Sequence, residues 1–164
     1  MSLEIQGIRS VTKNYGTRTT EQKYGGRNIQ DLIKTAVWTF DYDDLPVGGA
    51  SNQDQSIPAN STIVSARLRI VTGFTSTSTT SDLLIGLEQG DGTDIDVDGL
   101  VAAAEATQTA IATAGNIITG AGALVGTTIG AAAGELIVAP SVDDLLTGRA
   151  ELIVEYMTPG ATPA

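Results

Sequence analysis

The chain contains no cysteine and no histidine. Those two absences remove every disulfide, the side chain best suited to proton transfer at neutral pH, the strongest nucleophile and the usual zinc and copper ligands. A catalytic centre, if there were one, would have to be built from carboxylates, Lys, Ser, Thr or Tyr. The fold cannot depend on oxidation, so it is expected to form in a reducing cytoplasm and to persist outside it. Aromatic residues are scarce as well, 4% of the chain against 41% hydrophobic residues overall. Val, Ile, Leu and Ala must then build the core, which suits thin sheets packed face to face better than a large enclosed pocket.

Long apolar runs are also missing. The most apolar stretch, residues 100–114, is interrupted by Glu105 and Gln108, well short of the ~18 consecutive apolar residues of a membrane span. Residues 1–7 lack the apolar centre of a signal peptide. The expectation is a soluble protein, made in the cytoplasm, with no membrane partner.

Cations are rare over most of the chain. From Thr35 onward only Arg67, Arg69 and Arg149 face sixteen carboxylates, a net charge of −13. The first 34 residues reverse the balance: Arg9, Lys13, Arg18, Lys23, Arg27 and Lys34 stand against Glu4, Glu21 and Asp31, a net charge of +3. A basic arm on an acidic body speaks to partners rather than to chemistry, because a cationic segment is drawn to negative surfaces that repel the rest of the molecule. An acidic body is a poor general binder of nucleic acid, which is not an expected partner.

At 164 residues the chain supports one ordinary core. Its nineteen glycines and the Ser/Thr run at residues 75–81 favour an all-β chain with frequent reversals. Ala36, Trp38, Phe40 and Tyr42 alternate with polar or exposed positions, the period of two of a half-buried strand. Residues 62–71 repeat it, with Val64, Ala66, Leu68 and Ile70 on one face and Ser65, Arg67 and Arg69 on the other. Residues 82–88 place Leu83, Ile85 and Leu87 together and are expected to return antiparallel to the preceding strand. Residues 150–156 put Ala150, Leu152, Val154 and Tyr156 inward, and Glu151 and Glu155 outward, across from Arg67 and Arg69. Shorter runs at 116–119, 123–128 and 135–139 lie between glycines, and residues 43–57 read as a loop. Seven or eight strands with glycine turns indicate a β-sandwich of jelly-roll type. One short helix is expected within residues 100–114. The domain reading is an extended basic arm over 1–34, a β-sandwich over 35–158 and a C-terminal tail over 159–164.

One segment has the spacing of a metal site. Asp94, Asp96 and Asp98, then Gly99 and, after five residues, Glu105 reproduce D-x-D-x-D-G-x5-E, in which alternating carboxylates and a late bidentate glutamate encircle calcium. Against it, the residues before Asp94 read as a strand and a glycine turn rather than an entering helix, and Ala102 offers no ligand. The competing reading is an acidic loop whose Asp96 or Asp98 caps the following helix. The acids Asp41, Asp43 and Asp44, and Asp143 with Asp144, lie where solvated loop residues belong, and nothing in the sequence makes them an acid–base pair. The glycine-rich stretch 115–134 holds no lysine, which excludes a phosphate loop of the G-x-x-x-x-G-K-[ST] form.

The stretches SIPANSTIVSARLRI (56–70), DG followed by IDVDGLV (91–101), GALVGT (122–127) and AELIVEYM (150–157) resemble head decoration, or cement, proteins of tailed bacteriophages. The resemblance covers about two-thirds of the chain and consists of turn-and-strand patterns. It implies a non-enzymatic structural protein of the virion with a β-sandwich body. It also implies self-association into dimers or trimers, with trimers favoured, and binding to several major capsid proteins on the outer capsid surface. It makes the acidic tract at 91–101 a turn feature of that family and implies no required cofactor. Beside it, the charge split makes Arg9, Lys13, Arg18, Lys23 and Arg27 the expected capsid-binding residues. The alternatives are a head-fibre or tail-associated adhesin that binds a host surface and, behind it, a calcium-binding structural module.

Overall fold

A computed structural model of the chain describes residues 5–7, 10–15, 26–28, 33–45 and 50–158, with side chains for 33–45 and 56–158. The chain divides into two compact units, residues 1–32 and 33–164. In the first, β1 (Ile5–Gly7), β2 (Ser10–Tyr15) and β3 (Gly26–Asn28) form a small antiparallel sheet in that order. The sequence predicts only a single short strand here, near residues 3–8.

The second unit is an eight-stranded sandwich: β4 (Ile33–Asp41), β5 (Ala50–Ile57), β6 (Thr62–Ser76), β7 (Leu83–Glu88), β8 (Asp94–Val101), β9 (Ile117–Gly120), β10 (Gly134–Pro140) and β11 (Leu145–Met157). One sheet has the order β4-β11-β6-β9 and the other β5-β10-β7-β8. All of the ladders are antiparallel. Only β7 and β8 are sequence neighbours within one sheet, so the other connections between successive strands cross from sheet to sheet. That alternation is the double Greek key of a jelly roll, as expected from strand number and turn composition.

Side chains of both sheets meet in one aliphatic core. Ile63, Ala66, Leu68 and Ile70 of β6 and Ala150, Leu152 and Val154 of β11 are fully buried, against Leu83, Ile85 and Leu87 of β7 and Leu136 and Val138 of β10. Trp38 and Phe40 enter from β4, and the Phe40 ring lies 6.3 Å from that of Phe74. Removing one of these fully buried side chains, as in Leu68→Ala, typically costs about 2–5 kcal/mol.

Five expectations are corrected. Tyr42 does not continue the buried face of β4, because the strand ends at Asp41 and residues 42–44 make a turn of 3-10 helix that leaves Tyr42 exposed. In β6 Ile63, not Val64, is buried. The ladder pairs Glu155 with Ser65 and Tyr156 with Ile63, so Val64 is the extra residue of a β-bulge that shifts the phase of the strand. Residues 82–88 do not return beside β6; β7 lies in the other sheet between β10 and β8. The buried Ser81 pins that crossover: its hydroxyl donates to the Asp143 carbonyl at 2.6 Å, and Ser141 Oγ accepts the Asp82 amide at 3.0 Å. Finally, residues 123–128 are turns rather than a strand, while residues 50–57, read as loop, form β5.

The expected helix contracts to one turn, α1 (Gln108–Ile111). Leu100 and Val101 are consumed by β8 and buried. Thr107 then caps α1 by accepting the Ala110 amide at 3.4 Å, and Asp82 Oδ1 accepts the Gln108 amide at 2.8 Å. Ala112, which ends the turn, already backs onto Gly73 of β6 so closely that a Cβ there would meet its carbonyl oxygen.

Gly148 of β11 has φ +132°, and the Phe74 ring occupies the space where a Cβ would sit. Gly148→Ala therefore combines an unfavourable backbone conformation with overpacking, and is expected to destabilise the sandwich by about 2–4 kcal/mol in a denaturant titration. A variant as stable as the parent would contradict this packing.

Candidate functional site

The outer face of the β4-β11-β6-β9 sheet carries the most ordered arrangement of charge among the described residues. Successive side chains of a strand alternate between faces, so the apolar residues of β6 and β11 that fill the core leave Arg67, Arg69, Glu151, Ile153 and Glu155 on the solvent side. The register sets Glu151 directly opposite Arg69, and Arg67 opposite Ile153. Arg69 Nη1 donates to Glu151 Oε2 at 3.0 Å, and Arg67 Nη2 reaches diagonally to Glu155 Oε2 at 3.2 Å. Ser65 Oγ donates to the same Glu155 oxygen at 2.7 Å. The glutamates thus meet the two arginines as expected from their alternation. A third pair was not anticipated: Arg149 Nη1 contacts Asp41 Oδ2 at 3.2 Å, across the β11–β4 ladder. As exposed pairs these contribute about 0.2–1 kcal/mol each and act chiefly on register.

Aliphatic side chains lie around this ladder. Ile117 is 62%, Ile33 53% and Val37 45% exposed, and the bulged residues Val64 and Val71 are exposed too. Two rows cross the sheet: Val37–Ile153–Arg67–Thr119 and Thr39–Glu151–Arg69–Ile117.

The other sheet is acidic. Glu135 of β10 stands opposite Glu88 of β7, and Glu88 opposite Asp94 of β8, three carboxylates in one row. The Glu135 Oε2 atom is buried without a hydrogen-bond partner. The sequence gives no sign of this row, because only the strand pairing shows that residues 88, 94 and 135 are neighbours.

Of the four residues with calcium-loop spacing, Asp94, Asp96 and Asp98 lie along the extended strand β8 instead of encircling a centre. Asp96 Oδ1 accepts the Asp98 amide at 3.4 Å. Burial, and after it the neighbouring Asp98 carboxyl, holds the Asp96 carboxyl above the usual carboxylate range. Glu105 folds back as a turn brace, its Oε2 accepting the amides of Ala102 at 3.0 Å and Ala121 at 3.1 Å. Gly99 does not make the sharp turn that the spacing assigns to it. It lets another backbone come close: its carbonyl accepts the Leu124 amide at 2.8 Å, and a Cβ at Gly122 would overlap residues 98 and 99. Among the described residues, the carboxylates that do converge are Asp41, Asp43 and Asp44, with oxygens within 4.8 Å of one another. There Asp41 is paired with Arg149, and Asp44 Oδ2 accepts the Asp41 amide at 3.0 Å.

Of the expected capsid-binding residues, Lys13 lies in β2 opposite Asn28, and Arg27 in β3 opposite Asn14. Arg9, Arg18 and Lys23 lie outside the described residues.

No protein-family model matches the chain, and no curated protein matches it. Similar solved structures include a chain of the capsid of Ralstonia phage GP4, 19% identical, with 82% of this chain and 91% of that one covered and a TM-score of 0.50. A chain of the cyanophage Pam1 capsid asymmetric unit is 12% identical, with 88% and 99% covered and a TM-score of 0.49. The likeness to the Ralstonia phage chain is one of fold.

Like charges directly opposite one another in a ladder destabilise it. Glu88→Gln, at the centre of the carboxylate row, is expected to raise stability by about 0.2–1 kcal/mol at neutral pH. Asp96→Asn should behave alike: a carboxyl whose folded pKa is raised favours the fold below its unfolded pKa and loses that advantage as pH rises through the folded value. Thermal melts at pH 7 and pH 3 measure both. For Asp96→Asn, an equal gain at the two pH values would contradict the electrostatic origin.

Proposed function

We propose that this chain is a structural, non-enzymatic protein of a tailed-bacteriophage virion, which decorates the outer capsid surface and stabilises the shell by binding major capsid proteins. The observation that carries the reading is the jelly-roll body, a fold similar to that of a chain in the capsid of Ralstonia phage GP4. The resemblance of residues 56–157 to decoration proteins supports the same class. A protein that holds a shell together adds contact area and multivalency between subunits, and a chain without histidine or cysteine is adequate to that task.

The charge distribution supports a division of labour. All three arginines from Thr35 onward are engaged in ion pairs on one sheet face. The chain's other cations are Lys34 and those of residues 1–32. In this reading Arg9, Lys13, Arg18, Lys23 and Arg27 hold the capsid, and the acidic surfaces of the body remain in solvent.

Co-sedimentation of the full chain and of a chain lacking residues 1–32 with undecorated capsids of the cognate phage tests the proposal. The full chain is expected to bind at a fixed copy number per shell and to weaken as salt is raised. The truncated chain should lose binding while its body keeps its melting temperature. Failure of the full chain to bind would overturn the decoration reading. Undiminished binding of the truncated chain would overturn the role of the basic residues.

A further inference from the structure

We propose that the outer face of the β4-β11-β6-β9 sheet is a self-association surface, on which a second copy of this chain packs face to face about a two-fold axis. The inference deepens the decoration reading, whose resemblance implies self-association with trimers favoured; charge, register and exposed aliphatics point instead to a pair on this face.

The first argument is electrostatic. Three of the sixteen carboxylates from Thr35 onward, Asp41, Glu151 and Glu155, neutralise the only three arginines of that stretch, and all six groups lie on this face. The other thirteen carboxylates have no arginine or lysine left to them within residues 35–164. Two copies of a chain with net charge −10 repel each other wherever those acids meet. On this face the ion pairs sum to zero, and the aliphatic side chains of Ile33, Val37, Val64, Val71 and Ile117 are exposed among them. An apolar, internally neutralised patch on an otherwise acidic body is the surface that such a copy can cover.

The second argument is complementarity. The cations Arg67 and Arg69 form a column on β6, and the anions Glu151 and Glu155 a column on the adjacent β11. A two-fold axis parallel to the strands and midway between β6 and β11 places each column over the opposite column of the second copy. Since Arg69 and Glu151 share a row, Arg69 of one copy comes to face Glu151 of the other, and the reverse contact follows by symmetry. The same operation carries Ile117 over the β4 end of its row, beside Val37. The Arg69–Glu151 pair thereby joins its symmetry copy in a four-charge cluster shielded from water, and the exposed aliphatics are covered.

This geometry has a test that a purely intramolecular role for the ion pair would fail. Full-length chains carrying Arg69→Glu or Glu151→Arg are prepared separately, and their mass is measured by sedimentation or light scattering over a range of concentrations, with circular dichroism as the check of folding. The parent is expected to form a closed pair. Each variant alone places like charges opposite one another across the axis and should dissociate at least tenfold more readily. An equimolar mixture should re-associate into a mixed pair. There the glutamate introduced into one chain faces the arginine introduced into the other, and the unaltered Arg69 and Glu151 face each other. Ile117→Asp tests the same face without touching an ion pair and should also dissociate. A monomeric parent, variants that keep the parent's mass, or a mixture that stays monomeric would each overturn the proposal. A monomeric parent whose Arg69→Glu variant loses capsid binding would overturn it too and assign the face to the capsid.

Discussion

The body depends on one strand fitting between two others. β11 runs through the centre of its sheet, paired over nine positions with β4 and over most of its length with β6. Its inward residues Ala150, Leu152 and Val154 are completely buried, and its outward residues Arg149, Glu151 and Glu155 each pair with an opposite charge on a neighbouring strand. A slip of one residue would turn the aliphatics to water and the charges into the core. Burial supplies the energy of this arrangement, on the order of 25 cal/mol per Å² of apolar surface, and the ion pairs specify its register.

That period-two logic is also why some of the fold was legible and some was not. Where a strand alternates without interruption, as in residues 150–156, or in 66–70 of β6, the inward and outward faces and even the Arg–Glu partners could be read directly. Where the ladder has an extra residue the reading fails locally: the bulge at Val64 exposes a valine that alternation would bury and buries Ile63 in its place. The choice of sheet for each strand was also hidden, because β6 and β7 look like a hairpin until Ser81 and Asp143 are seen to fasten the crossover. Residues 94–98 show a third limit. D-I-D-V-D is both a metal-loop spacing and an alternating strand, and pairing with β7 selects the strand. The short helix fared similarly, since alanine content favours a helix but the burial of Leu100 and Val101 in β8 leaves only one turn.

The structure sharpens the division of charge seen in the sequence. The body's arginines lie on one face beside their counter-ions, whereas carboxylates line up across the opposite sheet as far as placing Glu135, Glu88 and Asp94 side by side. Such a row costs stability, so the acidity of that surface is not a by-product of folding. A strongly negative exterior keeps a protein soluble and discourages unwanted association. It also leaves few places where the molecule can touch anything negative: the basic first unit, and the neutralised sheet face.

Those two surfaces make the account testable as a whole. The most direct measurement is an electron cryomicroscopy reconstruction of the decorated capsid at a resolution that traces the chain. The account predicts density for the sandwich outside the shell, residues 1–32 in contact with major capsid proteins, and the Glu135–Glu88–Asp94 row facing solvent. A reconstruction with the acidic sheet seated on the shell and the basic residues away from it, or with no density attributable to the chain on the outer surface, would contradict it.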